Sequence, residues 1–212
     1  MIKAIQFDID GTLLDTKNFI YQSFLHTFEV YGLTHLTAKD LGPVMGKPLE
    51  ECLAILAPEI DTTEMAQAYR DWQATQMSLI IPFTNTLFTL QELRKRGIKL
   101  AAVSTRKRTT NDSLKQTGVF ELLDTVVTGD DVKEFKPDPE GLFVALERLE
   151  VEPAHAMMVG DTGVDVEAGR NANMATAGAT YGFFTREKME ALKPNYLLHD
   201  VSDILELVSV QS

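Results

Sequence analysis

The hydrophobic and polar positions of this chain divide it into stretches of different character. Residues 2–7 are a short apolar run, which predicts a buried strand. Residues 16–82 carry apolar side chains at helical spacing, with glycine and proline between them, so three or four helices fit and no strand is evident. From residue 83 onward, short apolar runs alternate with helical segments. This alternation predicts a parallel sheet with helices on both faces.

The stretch after residue 83 predicts its elements in a regular order. Its apolar runs predict strands at residues 98–103, 125–127, 156–159 and 175–177. The segments between them predict four helices: one from a cap at Thr84 or Asn85 to residue 97, and others over residues 111–117, 139–149 and 165–172. Residues 196–208 predict a last strand and a last helix. We therefore expect an α/β protein with a Rossmann-like parallel-sheet core formed by residues 1–15 and 83–212. We expect residues 16–82 to form a small inserted α-helical cap.

Composition and charge narrow the possible partners. The net charge of −11 argues against a surface for nucleic acid or anionic membrane, because like charges repel over about 8–10 Å. The single cysteine, Cys52, excludes an intramolecular disulfide and fits a reducing compartment. No apolar run approaches the ~20 residues of a membrane span, and the N-terminus is interpreted as a strand rather than a signal peptide. We expect a cytoplasmic monomer or weak homodimer without nucleic-acid or membrane partners.

Polar side chains follow the predicted strands where these strands end. They are Asp8 and Asp10, Ser104 and Thr105, Lys136, and Asp161 and Asp165. Because an open α/β sheet binds its ligands at the carboxyl ends of its strands, we expect these side chains to form one site. A mixture of carboxylates, hydroxyls and a cation suits phosphoryl transfer.

The aspartates provide the groups that this chemistry needs. A carboxylate nucleophile splits the reaction through an aspartyl-phosphate, but it cannot approach an anionic phosphoryl group without charge neutralisation. Mg²⁺ provides that neutralisation and binds one or two carboxylates, here Asp8 and Asp161. The spacing of Asp8 and Asp10 puts both on one face of an extended chain, about 6.5–7 Å apart. One can therefore attack phosphorus while the other reaches the leaving group.

Four motifs in chain order resemble those of the haloacid dehalogenase superfamily, in the branch with a helical (C1-type) cap after the first motif. They are Asp8-Ile9-Asp10-Gly11-Thr12, Val103-Ser104-Thr105, Lys136-Pro137-Asp138-Pro139 and Gly160-Asp161-Thr162-Gly163-Val164-Asp165. The resemblance implies a role for each matched polar residue: Asp8 as nucleophile, Asp10 as general acid/base whose backbone carbonyl also touches Mg²⁺, Ser104 with Thr105 and Lys136 as phosphate ligands, Asp161 as metal ligand, and Asp165 as a support for Lys136 and for the waters of the metal.

The resemblance also narrows the reaction. Dehalogenases of this superfamily lack the second aspartate and phosphonate hydrolases replace it, so Asp10 favours a phosphatase or a phosphomutase. Residues 176–183 resemble the phosphoglycolate phosphatase branch and the related pyrophosphatases. The leading hypothesis is a Mg²⁺-dependent phosphatase of a small phosphometabolite, with phosphoglycolate first and pyrophosphate next. The alternatives are a phosphomutase acting on a sugar phosphate and a non-catalytic binding module of the same fold.

Several candidates also have a simpler structural interpretation. Ser104 and Thr105 could cap the helix that follows them. Asp165 could do no more than begin a helix, where the helix dipole favours an acid. Lys47 in the cap and Arg106 in the core could meet the substrate, although a solvated lysine is the simpler interpretation of Lys47.

Overall fold

The computed structural model describes residues 1–107 and 109–208 and contains one large sheet and one two-stranded ribbon. The strands are β1 (Ala4–Phe7), β2 (Leu14–Asp15), β3 (Ile81–Pro82), β4 (Lys99–Val103), β5 (Thr125–Val127), β6 (Ala156–Gly160), β7 (Ala175–Ala179) and β8 (Tyr196–Leu198). The large sheet has the order β5-β4-β1-β6-β7-β8, and all its pairings are parallel. The predicted α/β fold with a parallel sheet is thereby confirmed.

The α-helices lie partly between the strands of this sheet and partly in the stretch that the sequence assigns to a cap. They are α1 (Lys17–Val30), α2 (Ala38–Leu41), α3 (Leu49–Leu56), α4 (Thr62–Thr75), α5 (Thr86–Lys95), α6 (Thr110–Gln116), α7 (Glu140–Leu149), α8 (Gly163–Asn171), α9 (Arg186–Leu192) and α10 (Ile204–Leu207). None of the helices within the described part of the chain is both long enough and apolar enough to cross a bilayer.

Strand β1 lies at the centre of the sheet and is buried on both faces. Its residues pair with β4 on one side and β6 on the other, and all are buried. Ile5 and Phe7 belong to one hydrophobic cluster, whereas Ala4 belongs to a second cluster. Since successive side chains of a strand point to opposite faces, β1 has core on both sides. This central strand carries the first motif.

Helices α1 to α4 pack on a hydrophobic cluster of their own. Phe24 and Phe28 of α1, Leu53 of α3, and Met65 and Tyr69 of α4 belong to it, and all are buried. The limits of the predicted cap, residues 16–82, and of the core, which was expected to reach residue 212, stay predictions. Residues 108 and 209–212 lie outside the described residues.

The expectation that residues 16–82 contain no strand is wrong in one respect. Leu14 pairs with Pro82 and Asp15 with Ile81 in an antiparallel ribbon. Two residues are too few to show the alternation of apolar and polar positions by which a strand is predicted from sequence. The ribbon joins the points where the chain leaves the sheet region and returns to it.

Two details of the helices also differ from expectation. Helix α9 was not predicted, since Met189 is its only residue that is buried. Asn85 stands at the start of α5, as expected, but its side chain forms no capping hydrogen bond. Its Nδ2 instead donates to Asp200 Oδ1 over 2.9 Å. The terminal segment is thereby tied to the start of α5.

Candidate active site

The predicted site residues converge at the carboxyl end of the sheet. Asp8 follows β1, Ser104 follows β4 and Asp161 follows β6. A cavity of about 300 Å³ lies between this edge and helices α1, α3 and α4. The predicted site residues that line the cavity are Asp8, Asp10, Lys47, Ser104, Thr105, Arg106, Lys136 and Asp165. Asp161 is fully buried and contacts the site through its carboxylate cluster.

Lys136 joins two of the aspartates. Its Nζ donates to Asp8 Oδ1 over 2.6 Å, to Asp165 Oδ1 over 2.7 Å and to the carbonyl oxygen of Val103 over 3.1 Å. The ammonium group has three protons, so all of them have a partner in this arrangement. Lys136 is thus held rigidly beside the carboxylate that the sequence predicts as nucleophile.

The electrostatics of this cluster are dominated by burial. Burial raises the pKa of Asp8 to about 7, while Lys136 opposes the shift and the carboxylates of Asp165 and Asp10 add to it. Burial, with Asp8 and Asp165 nearby, also raises the pKa of Asp161 well above its ordinary value. Burial alone would lower the pKa of Lys136, but the two neighbouring carboxylates outweigh it and raise that pKa. Three carboxyl groups thus share one buried lysine, and the raised pKa values of Asp8 and Asp161 reflect the cost of ionising them together without a further cation.

This excess of buried carboxylate fits a divalent cation. Oxygen atoms of Asp8, Asp161 and Asp165 all lie within 4.8 Å of one another. Mg²⁺ prefers oxygen ligands of this kind, and it would balance the charge that Lys136 leaves unpaired. The carboxylate of Asp10 is not in this cluster, and the resemblance implies a contribution from its backbone carbonyl only.

The carboxylate of Asp161 is held by a side-chain hydroxyl and a backbone N–H, and two glycines lie close to it. Thr12 Oγ1 donates to its Oδ1 over 3.3 Å, and the backbone N–H of Phe183 donates to its Oδ2 over 2.6 Å. Gly11 has φ +86°, and a Cβ there would lie 2.3 Å from Asp161 Oδ2. A Cβ on Gly182 would lie 2.2 Å from the same oxygen. Both positions therefore require glycine.

Gly182 and Phe183 were not predicted as site residues. They belong to residues 176–183, which the sequence analysis used only to choose a branch of the superfamily. Their approach to Asp161 joins segments about 20 residues apart, after β6 and after β7. Gly182 was the sequence feature that could have indicated this close approach of backbone to Asp161.

Asp165 makes both kinds of contact that the sequence suggested. Its Oδ2 accepts from the backbone N–H and the Oγ1 of Thr162, over 3.1 and 2.7 Å, and so caps the start of α8. Its Oδ1 accepts from Lys136. The capping contacts fix the orientation in which the other oxygen meets Lys136, so the structural and the functional interpretations coexist.

Asp10 faces Arg106. The Nε of Arg106 lies 3.5 Å from Asp10 Oδ2, and its Nη2 donates to Ser113 Oγ over 2.6 Å. Within the described residues, Asp10 Oδ1 and the Nε and Nη1 of Arg106 are buried without a hydrogen-bond partner. Ser104 Oγ accepts from the backbone N–H of Arg106 over 3.1 Å, so the two predicted residues are also linked to each other.

Lys47 lies on the opposite wall and already has a partner. Its Nζ pairs with Glu51 in α3, and the lysine side chain is 36% exposed. It is therefore paired rather than simply solvated. Tyr69 and Gln73 of α4 are buried and line the cavity, although the sequence analysis did not single them out for the site.

The sequence of the chain also matches a known family over most of its length. The family model for haloacid dehalogenase-like hydrolases matches residues 5–179. The chain belongs to this family. The superfamily that was predicted from the four motifs is thereby confirmed.

Relatives of this haloacid dehalogenase-like hydrolase include proteins of closely similar length. A protein named pyrophosphatase PpaX, from Bacillus velezensis, is 41% identical over 213 residues, which cover 99% of this chain and 98% of that protein. A solved structure from Bacteroides fragilis, described as a haloacid dehalogenase-like hydrolase, is 30% identical with a TM-score of 0.89, and the match covers 96% of this chain and 100% of that one.

A further solved structure supports the fold alone. It comes from Haemophilus somnus, is described as a predicted phosphoglycolate phosphatase, and is 21% identical with a TM-score of 0.87 over 98% of both chains. Nearly all of this haloacid dehalogenase-like hydrolase, including the helices α1 to α4, therefore shares its fold with solved structures. The roles of its individual site residues stay predictions.

Proposed function

We propose that this chain is a Mg²⁺-dependent phosphatase that acts on a small anionic phosphate compound through an aspartyl-phosphate on Asp8. One observation carries the proposal. Asp8 opens onto the cavity at the end of the central strand, held by Lys136 over 2.6 Å, with Asp10 lining the same cavity. A nucleophile, a cation and a second carboxylate are the groups that a two-step phosphoryl transfer needs.

In the first half of the reaction, a carboxylate oxygen of Asp8 attacks phosphorus and the bond from phosphorus to the leaving oxygen breaks. Asp10 gives its proton to that oxygen, so the leaving group departs protonated. Ser104 and Thr105 would hold the other phosphoryl oxygens, and Lys136 would exchange one of its three present acceptors for a phosphoryl oxygen. Donors that are already in place need no reorganisation as charge develops.

In the second half, Asp10 is a carboxylate and takes a proton from water. The oxygen of that water attacks phosphorus, the bond from phosphorus to Asp8 breaks, and inorganic phosphate is released. Asp8 and Asp10 are then in their starting states. Helices α1, α3 and α4 cover the cavity and would limit the access of water during the first half.

The metal is a part of this proposal. Asp8, Asp161 and the backbone carbonyl of Asp10 would hold Mg²⁺, and Asp165 would hold its waters and Lys136. When bound, the ion neutralises charge between the Asp8 carboxylate and the phosphoryl group. The buried, crowded oxygens of the carboxylate cluster support this assignment.

The substrate class comes from the relatives. The 41% identical protein is named as a pyrophosphatase, which favours the anhydride pyrophosphate as substrate. Phosphoglycolate, a monoester, is the second candidate. We also propose that residues 16–82 act as the cap that selects the substrate, and that the protein works as a cytoplasmic monomer or weak homodimer.

The decisive experiment measures phosphate release by the purified full chain. With Mg²⁺ present, we expect release from pyrophosphate, phosphoglycolate or both, and from a generic aryl phosphate. Chelation with EDTA should remove at least about 99% of this activity, and added Mg²⁺ should restore it. No release from any of these compounds with Mg²⁺ present would refute the phosphatase. If a sugar phosphate gave an isomer with little free phosphate, the phosphomutase would be correct instead.

A further inference from the structure

The guanidinium of Arg106 is buried with part of its hydrogen-bonding capacity unused. Its side chain is 13% exposed, and among the described residues Nη2 makes a hydrogen bond whereas Nε and Nη1 have no hydrogen-bond partner. Nε forms only a long ion pair with Asp10 Oδ2, over 3.5 Å. A buried donor without a hydrogen-bond acceptor is destabilising, so its presence in a folded protein calls for an explanation. An anion entering the adjoining cavity would provide that explanation.

The other cationic side chains around the cavity have closer partners within the protein. Lys136 is paired with Asp8 and Asp165, Lys47 with Glu51, and Arg70 with Glu50. The ammonium of Lys107 lies 5.6 Å from the ring centroid of Phe135. Arg106 differs from these side chains because its nearest carboxylate, Asp10, is 3.5 Å away and no hydrogen bond joins them.

The position of Arg106 relative to Asp10 restricts which anion it could bind. In the proposed reaction Asp10 gives a proton to the leaving oxygen, so that oxygen must lie beside Asp10. Arg106 Nε is only 3.5 Å from Asp10 Oδ2. If the leaving oxygen lies beside Asp10, an anion that reaches Arg106 must therefore be attached close to that oxygen, and one or two intervening atoms give a short enough link.

We infer that Arg106 binds a second anionic group that sits on the first or second atom beyond the leaving oxygen of the substrate. This inference rests on the proposed phosphatase and deepens it. The substrate class consists of compounds in which the leaving group is itself a compact anion, such as the second phosphate of an anhydride or the carboxylate of a 2-phosphooxy acid. A phosphate ester with a neutral or a distant anionic group leaves the Nε and Nη1 donors of Arg106 without an acceptor.

Selectivity across a series of substrates tests this inference. The series is pyrophosphate, phosphoglycolate, 3-phosphooxypropanoate, 4-phosphooxybutanoate and 4-nitrophenyl phosphate, in which the second anion becomes more distant and then disappears. For Arg106→Gln, the kcat/KM ratio of pyrophosphate or phosphoglycolate to the aryl phosphate should fall about 10–100-fold, as for loss of one charge-assisted hydrogen bond. This fall in the kcat/KM ratio should become smaller as the second anion of the substrate becomes more distant. Arg106→Lys should restore part of the ratio.

Matched variants separate this effect from general loss of positive charge or of folding. Lys107→Gln removes the neighbouring cation and should change the ratio less than about threefold. Ser113→Ala removes the hydrogen bond that holds Nη2 of Arg106, so the kcat/KM ratio should fall less than with Arg106→Gln. If thermal unfolding shows that Arg106→Gln folds poorly, Ser113→Ala still tests the inference. The inference is overturned if Arg106→Gln lowers all five substrates by the same factor, leaves the ratio unchanged, or matches Lys107→Gln.

Failure of the proposed function gives a different result. In that case the wild-type chain releases no phosphate from any compound of the series with Mg²⁺, before any variant is compared. A wild-type chain that is active but shows no preference along the series refutes the role of Arg106 and leaves the phosphatase standing.

Discussion

The two walls of the cavity are built on different principles. On the sheet side, Asp8, Lys136 and Asp165 are joined by hydrogen bonds of 2.6 and 2.7 Å into one charged cluster that uses every proton of the lysine. On the helical side, Phe24 and Val44 present apolar surface, and the lining cations pair with acids of the same segment. The sheet side is therefore preorganised for charge, whereas the helical side mainly sets shape. The charged groups of the site, Arg106 included, therefore lie on the sheet side, whereas the helical side limits the shape of what can enter.

The largest expected effect is the loss of the nucleophile on the sheet side. Asp8→Asn keeps the size of the side chain but removes the charge that attacks phosphorus, so turnover should fall below detection. The assay is phosphate release with Mg²⁺, with circular dichroism to verify the fold. Asp15→Asn, a carboxylate change in the same segment, serves as the control and should retain activity within about twofold. Substantial turnover by Asp8→Asn would contradict the assignment.

Asp10→Asn should cause the second largest loss of activity. It removes proton transfer and leaves the nucleophile in place, so kcat should fall by about 10²–10⁴-fold. Rapid quenching should also trap more phosphoenzyme than in the wild type, because the second half of the reaction loses its base. A rate within about threefold of wild type would show that Asp10 is not the general acid/base.

A smaller effect is expected at Gly182, which lies against the carboxylate of Asp161. A methyl group on Gly182 would lie 2.2 Å from Asp161 Oδ2 and 2.4 Å from the backbone oxygen of Gly11, so the carboxylate must shift. Gly182→Ala should raise the Mg²⁺ concentration for half-maximal activity about 10–100-fold, as changes around metal ligands do. Gly42→Ala is the control, since no atom lies within 4 Å of a Cβ there. An unaltered Mg²⁺ requirement for Gly182→Ala would argue against Asp161 as a ligand.

The smallest effect should be on the helical side. Lys47 is already paired with Glu51 and its side chain is 36% exposed, so Lys47→Gln should change kcat/KM for pyrophosphate less than about threefold. Glu51→Gln releases the lysine without removing it and provides the matched comparison. A loss of more than tenfold with Lys47→Gln alone would mean that the helical side contributes charge as well as shape, and the contrast between the walls would fail.

The sequence predicted the sheet side well for a physical reason. Strands buried on both faces appear as continuous apolar runs, so β1, β4 and β6 were predicted within two residues of their observed limits. The polar residues after each run then had to meet at one edge. The strand ends therefore indicated Asp8, Lys136 and Asp165 before any contact between them was known.

The remaining features depend on contacts that one sequence does not display. Arg106 meets Asp10 across 96 positions of the chain, and its unused donors are visible only once both side chains have coordinates. Phe183 contributes a backbone N–H, for which any residue would serve. Helix α9 is largely polar and is held through Met189, so its periodicity is weak. Proximity and backbone contacts, rather than residue type, determine these features.

The pairing of Leu14 with Pro82 and of Asp15 with Ile81 has a consequence for how such a protein can change. Both ends of the helical excursion meet side by side in a closed ribbon, so the strand order of the sheet does not depend on what lies between them. Changes of length in the middle of the excursion therefore leave the strand pairings as they are. Its two ends are less free to change, because Phe19 and Ile80 are buried in the same hydrophobic cluster as Ile5 and Phe7 of β1.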